Sequence, residues 1–183
     1  MVDASPAAGG SSWPRLAGLV QEGFALHGLE GQSLRNFMRG PLGMDDAYIE
    51  GSVSTVFLDY KPVDDLDSAA ISADCLVSLS AAMPGLVGAV MRRNSPYASF
   101  REAISHDGRL DSGVAAATRT CLVRVKLFNA IMREHGPVLL QRGILVRAAR
   151  LAEILGKPLP PGYSTVPSES DYLLLCTEPV SGS

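Results

Sequence analysis

The chain has 183 residues, 46% of them hydrophobic and 19% charged, enough for one domain, or one domain with an added subdomain, that buries a core without disulfide or metal staples. A net charge of −3 and a pI near 5.6 give no global basic field, which argues against nucleic acid and anionic membrane as partners. No apolar run approaches the roughly 18 to 20 residues of a spanning helix, and no basic segment precedes an apolar one at the N-terminus, so a cytoplasmic protein is expected.

Residues 1–11 are rich in Ala, Gly, Ser and Pro with almost no large apolar group, and are expected to form a flexible arm. A single domain is expected over 12–178, with a short tail over 179–183. Ser12 is placed to cap a helix with Pro14 in its first turn, and Trp13, Leu16, Leu19, Val20 and Phe24 recur at near-helical spacing. Gly18 and Gly23 weaken that helix, so a strand pair through Leu16–Val20 and Phe24–Leu26 is the alternative. Ser33 can cap a second helix, with Leu34, Phe37 and Met38 on its apolar side, ended by Gly40-Pro41. Met44–Glu50 reads as an acidic turn or a single helical turn.

The stretch Ser52–Met91 organises the rest. Two apolar runs, Ser52–Leu58 and Cys75–Ser80, predict two strands joined by a long, Asp-rich connection. Asp59-Tyr60-Lys61-Pro62 has the chemistry to turn the chain after the first. Asp64, Asp65 and Asp67 follow, but no Gly at the sixth position and no Glu at the twelfth accompany them, so a solvated loop is expected rather than a calcium site. Ala81–Met91 is apolar yet carries Pro84, Gly85 and Gly88, and reads as a buried glycine-containing turn or the first part of a helix.

Asp107–Ala117 is expected to be a surface loop. In Thr120–Phe128, Cys121, Val123, Val125 and Leu127 alternate with Leu122, Arg124 and Lys126, the pattern of a half-solvated strand. Asn129–His135 is expected to be helical and to end or restart at Gly136-Pro137, with Gly143 closing the piece. Ile144–Val146 opens a strand, and Ala148–Leu155 places Leu151, Ile154 and Leu155 on one helical face before a Gly156 cap. Lys157–Gly162 reads as an extended linker and Tyr172–Cys176 as a strand or docked segment. No internal repeat of useful length is evident.

Arg92, Arg93, Arg101 and Arg109 are interleaved with Tyr97, Phe100 and His106 directly after Gly85 and Gly88. Glycine-turn N–H groups and guanidinium forks both suit phosphate or carboxylate. Gly85, Gly88, Arg92, Arg93 and Arg101 are therefore the candidate residues for a small anionic ligand, with His106 as candidate acid or base. The spacing matches neither GxGxxG nor GxxxxGK(S/T). Ser105-His106-Asp107 are triad residue types in a row, but a triad is a spatial arrangement that adjacent side chains cannot form with one another. Cys75, Cys121 and Cys176 are widely separated and odd in number, which excludes a disulfide framework or CxxC metal site as the simple reading and predicts buried core thiols. No metal site and no cofactor are predicted, since no two Cys or His residues show a recognised ligand spacing.

The helix Ser33-Leu34-Arg35-Asn36-Phe37, the strand and turn Val56-Phe57-Leu58-Asp59-Tyr60-Lys61-Pro62-Val63, and the late strand Leu76-Val77-Ser78-Leu79 followed by Pro84-Gly85 resemble the β-grasp sulfur-carrier family, ubiquitin-like proteins of thiamin and molybdopterin synthesis. The resemblance covers under a third of the chain and implies a β-grasp-like sheet with one helix packed on it. It implies an early β-hairpin, for which Leu16–Leu26 is the available segment. It carries over no functional residue, because those carriers end in a Gly-Gly whose carboxylate becomes a thiocarboxylate, whereas this sequence ends in Val180-Ser181-Gly182-Ser183.

These readings predict an α+β fold: a mixed sheet with packed helices, β-grasp-like over about 33–91, and a C-terminal α/β extension over about 118–178. The expected function is a non-catalytic binding or assembly module. Its apolar segments Ala81–Met91 and Tyr172–Cys176 would form an interface in a homo-oligomer or with a protein partner. The alternative is a protein or enzyme that binds a small anion at the glycine turn.

Overall fold

A computed structural model describes residues 13–106, 119–155, 163–168 and 171–177. The expected arm, the 107–117 loop, the Lys157–Gly162 linker, the tail, Ser12, Arg109 and Gly156 lie outside these residues. Helix α1 (Trp13–Glu22) runs into strand β1 (Phe24–Leu29), so the helix prevails over the strand alternative for Leu16–Val20. Leu16, Leu19 and Val20 are buried on one face, and that burial outweighs the helix penalty of Gly18. Helix α2 (Leu34–Arg39) is capped by the Ser33 side chain, which accepts from the Asn36 N–H. Helix α3 (Asp46–Ser52) is capped in the same way by Asp45, at 2.7 Å from the Tyr48 nitrogen. That cap takes Ser52 into the helix, so the strand expected from Ser52 begins at Thr55.

Strand β2 (Thr55–Leu58) turns through Asp59 and Tyr60 into β3 (Lys61–Pro62). Both turn residues have positive φ, 48° and 67°, as a two-residue hairpin turn demands. Asp59 secures it by accepting from the Leu76 N–H at 2.8 Å. Strand β4 (Leu76–Ser80) then pairs antiparallel with β2, the two-strand arrangement expected from the apolar runs. Helix α4 (Gly85–Met91) and a 3-10 turn (Ala98–Ile104) follow. Ala81–Met91 is not the buried turn of the first alternative: Leu86 and Val87 are 74% and 62% exposed.

Strand β5 (Thr120–Phe128) leads directly into helix α5 (Asn129–Arg142), which continues through Pro137. Burial of Ile131, Gly136, Leu139 and Leu140 on this one helix offsets a proline penalty of roughly 3 kcal/mol. Strand β6 (Ile144–Arg147), helix α6 (Ala148–Leu155), and strands β7 (Tyr163–Pro167) and β8 (Tyr172–Thr177) complete the order. Residues Tyr163–Pro167 gave no strand signal, since Val166 is their lone aliphatic.

One eight-stranded sheet results, ordered β3-β2-β4-β5-β1-β6-β8-β7. Its β4–β5 pair is parallel and all other neighbours are antiparallel, so the protein is α+β with a mixed sheet. Because side chains alternate along a strand, Val56, Leu58, Val77, Leu79, Val123, Val125, Leu127, Ile144, Val146 and Leu175 share one face. They form a single core with buried residues of α1, α2, α3, α5 and α6. The run Tyr172–Cys176 is an inner strand with Leu175 fully buried, not a surplus apolar segment.

The structure also shows a short repeat that the sequence does not announce. Leu19–Leu26, LVQEGFAL, and Leu139–Val146, LLQRGILV, each form the end of a helix, a glycine and the start of a strand. Gly23 and Gly143 have φ of 130° and 93°, which a side chain rarely adopts. Only three of the eight positions are identical, too few to register as a repeat without the shared conformation.

Candidate functional site

The structure separates the residues expected to hold an anion. Gly85, Gly88 and Arg92 line one small cavity of about 180 Å³ with Ser54, Thr55, Ala82, Met83 and Ala89. Arg93 and Arg101 do not join them. The Arg93 side chain is buried and donates to the Ile49 carbonyl and to Glu50, both at 3.1 Å. Arg101, 1% exposed, donates to Asp64 at 2.6 Å, to Ser105 Oγ at 2.9 Å, and to the carbonyls of Val90 and Arg92. All three of its guanidinium nitrogens are engaged, so it anchors the 83–106 segment to the β2–β3 edge. His106 also belongs to this anchorage: its backbone N–H donates to Pro62, and its Nδ1 is buried with no hydrogen-bond partner.

The sheet face opposite the core carries a different cluster. Register places Thr55, Ser80 and Phe128 in one cross-strand row, and Phe57, Ser78 and Lys126 in the next. That second row resumes across β1 with Arg147 and Tyr172. A third row holds Leu76, Arg124 and Ala25. Gly23 precedes β1 between Lys126 and Arg147 and supplies no side chain there. A Cβ at Gly23 would sit 3.5 Å from Lys126 Cγ and 3.6 Å from its Cε, so Lys126 leans over this glycine.

Two clefts open on these rows. An apolar one of about 460 Å³ is lined by Phe57, Tyr60, Leu76, Met83, Phe128 and Lys126, among others. Its end is closed by Asn129, which has a positive φ of 55° and donates to Ser80 Oγ and the Ala82 carbonyl. The second cleft, about 290 Å³, receives Arg124, Lys126, Arg147 and Arg150, with Glu22 and Tyr172. Arg150 pairs with Glu22 and Glu153. Arg124 donates to the Asp74 carbonyl at 3.0 Å, and Arg147 lies 5.7 Å from the centre of the Tyr172 ring. Carboxylates of Asp74 and Asp171 act on Arg147 from nearby. Leu76 and Lys126 line both clefts, which therefore adjoin.

Cys75 and Cys121 lie in the core, whereas Cys176, also expected there, is half-buried on the same sheet face as Tyr172, because strand alternation turns Leu175 inward instead. Burial raises the Cys75 pKa to about 11 and that of Cys121 above the ordinary thiol value, so neither supplies thiolate near neutrality. His135 packs edge-on against Tyr48 with ring centres 4.2 Å apart, and burial lowers its pKa. Tyr48 in turn donates to Glu134 at 2.6 Å. The basic cleft escaped the sequence reading because its cations come from β5, β6 and α6. The available signal was the pair Arg124 and Lys126 on the polar side of a strand.

Among known proteins, the chain matches no protein-family model, no curated protein and no solved structure. Fold and site define an α+β protein with one sheet face packed by helices and the other bearing an apolar and a basic cleft side by side.

Proposed function

We propose that the protein is a binding module for a small anionic ligand held in the basic cleft. The observation that carries this is the convergence of Arg124, Lys126, Arg147 and Arg150 on one cavity of an acidic chain. Guanidinium forks in a concave site suit carboxylate or phosphate. The anion role expected of the glycine turn thus passes to residues of β5, β6 and α6. Isothermal titration with butyl phosphate, in protein carrying Arg147→Glu and in the unaltered chain, tests the reading. It predicts saturable binding that weakens with salt and falls about tenfold or more in the variant; no binding to either protein would remove it.

A second reading, self-association, is favoured by the exposed chains of Leu86, Val87, Tyr97, Phe100 and Ile104 in the segment that Arg93 and Arg101 anchor. Light scattering across a concentration range would then give a dimer mass that Phe100→Ser reduces. We also propose that β3-β2-β4-β5-β1 is a β-grasp-like unit in which β5 replaces the missing partner of an early hairpin. Helix α2 between β1 and β2 and the antiparallel β1–β5 pair support this. Amide exchange of those five strands as one cooperative unit, later than β6, β7 and β8, is its expected signature.

A further inference from the structure

Resting on the reading of the basic cleft as an anion site, we infer that the ligand is a single-chain amphiphile: an anionic head at Arg124 and Arg147, and an apolar body in the adjoining cleft. The two cavities share Leu76 and Lys126 and lie on one sheet face. Their volumes, about 460 and 290 Å³, each suit part of a small molecule, since ligand sites run from roughly 300 to 1,000 Å³. Chemistry changes sharply between them. Phe57, Met83 and Phe128 line only the first, whereas Arg124, Arg147 and Arg150 line only the second, beside Glu22 and several aliphatic side chains.

Lys126 bridges the change. It lines both clefts, and its Cγ and Cε lie over Gly23, so its aliphatic stem covers that glycine where the clefts adjoin. A ligand that was only an anion would leave the Phe57 and Phe128 side uncovered. One that was only apolar would make no use of the exposed Arg124 and Arg147 guanidinium groups that line the second cleft. Ser78, paired with both Phe57 and Lys126, sits in the floor where the body would lie.

The test is calorimetric titration of the full chain with butyl, hexyl, octyl and decyl phosphate, each below its micelle concentration. Burial of a methylene is worth up to about fourfold in affinity. The expected result is a steady gain of at least roughly thirtyfold from butyl to decyl, with Ser78→Phe flattening the series. The slope in the unaltered chain is decisive even if that variant folds poorly. A flat series with butyl phosphate bound leaves the anion site standing and overturns the amphiphile. No binding of any alkyl phosphate overturns both. A bilayer lipid would present the same chemistry, so vesicles of phosphatidylcholine and phosphatidylglycerol form a second arm. Binding to vesicles with no affinity for the monomeric phosphates overturns the inference.

Discussion

Two groups of arginines in this molecule have opposite surroundings. Arg93 and Arg101, on the segment after α4, are buried and direct guanidinium donors to Glu50, Asp64 and backbone carbonyls, with Arg93 Nε the one buried donor of the two left without a partner. Arg124 and Arg147, on adjacent parts of the sheet, are exposed and face a cavity. A cation whose hydrogen bonds are all made inside the protein contributes to folding. One that also lines open space, as Arg124 and Arg147 do beside the Asp74 carbonyl and the Tyr172 ring, still presents charge to a ligand. Sequence proximity to glycines pointed to the first group, whereas only the fold assembles the second.

The contrast can be broken at its strongest point by Arg101→Met. Asp64 and the carbonyls of Val90 and Arg92 lose a donor, so urea unfolding should report a loss of roughly 3 kcal/mol, the low end for a broken buried pair because Asp64 stays partly exposed. Alkyl phosphate affinity should be unchanged. Gly88→Ala comes next. A Cβ there would meet the Met83 carbonyl oxygen at 1.8 Å, a backbone clash expected to cost roughly 1 to 3 kcal/mol. It should also move Met83 out of the apolar cleft, weakening decyl more than butyl phosphate in the same titration.

Arg147→Glu sharpens the comparison from the other side. Butyl phosphate affinity should fall about tenfold or more, about 1.4 kcal/mol, while the unfolding free energy stays within roughly 0.5 kcal/mol. The smallest effect concerns His135, which faces Tyr48, Glu134 and Asp45. Its folded pKa lies below the ordinary 6.5, so it is neutral in both states at higher pH and costs nothing there. As pH falls below 6.5 the unfolded chain takes the proton more readily, and stability declines until the folded pKa is passed. In His135→Phe this contribution to the acid decline should vanish from a melting series between pH 7.5 and 5.

Local order was readable wherever a short-range cause dictates it. Ser33 caps α2 through its own hydroxyl, the alternation of Val123, Val125 and Leu127 marks β5, and the Asp59-Tyr60 turn follows from its neighbours. What escaped was set by distant partners. Pro137 stays helical because Leu139 and Leu140 are needed in the core. Tyr163–Pro167 becomes a strand because β8 offers it an edge. The partners of Arg93 and Arg101 were hidden on the same ground: they meet Glu50 and Asp64, some forty residues away in sequence, and no local pattern encodes that.

The position of β5 has a further consequence, for folding. It lies between β4 and β1, yet both of those strands precede it in the chain. During synthesis the first 106 residues therefore emerge with β4 lacking one neighbour and β1 lacking both, and with Val77, Leu79, Phe24 and Leu26 without their central partner. The sheet closes only when Thr120–Phe128 is inserted between edges laid down earlier, a non-local step of the kind that slows folding and invites association of incomplete chains. Truncation before residue 120 should accordingly yield an aggregating product rather than a smaller domain.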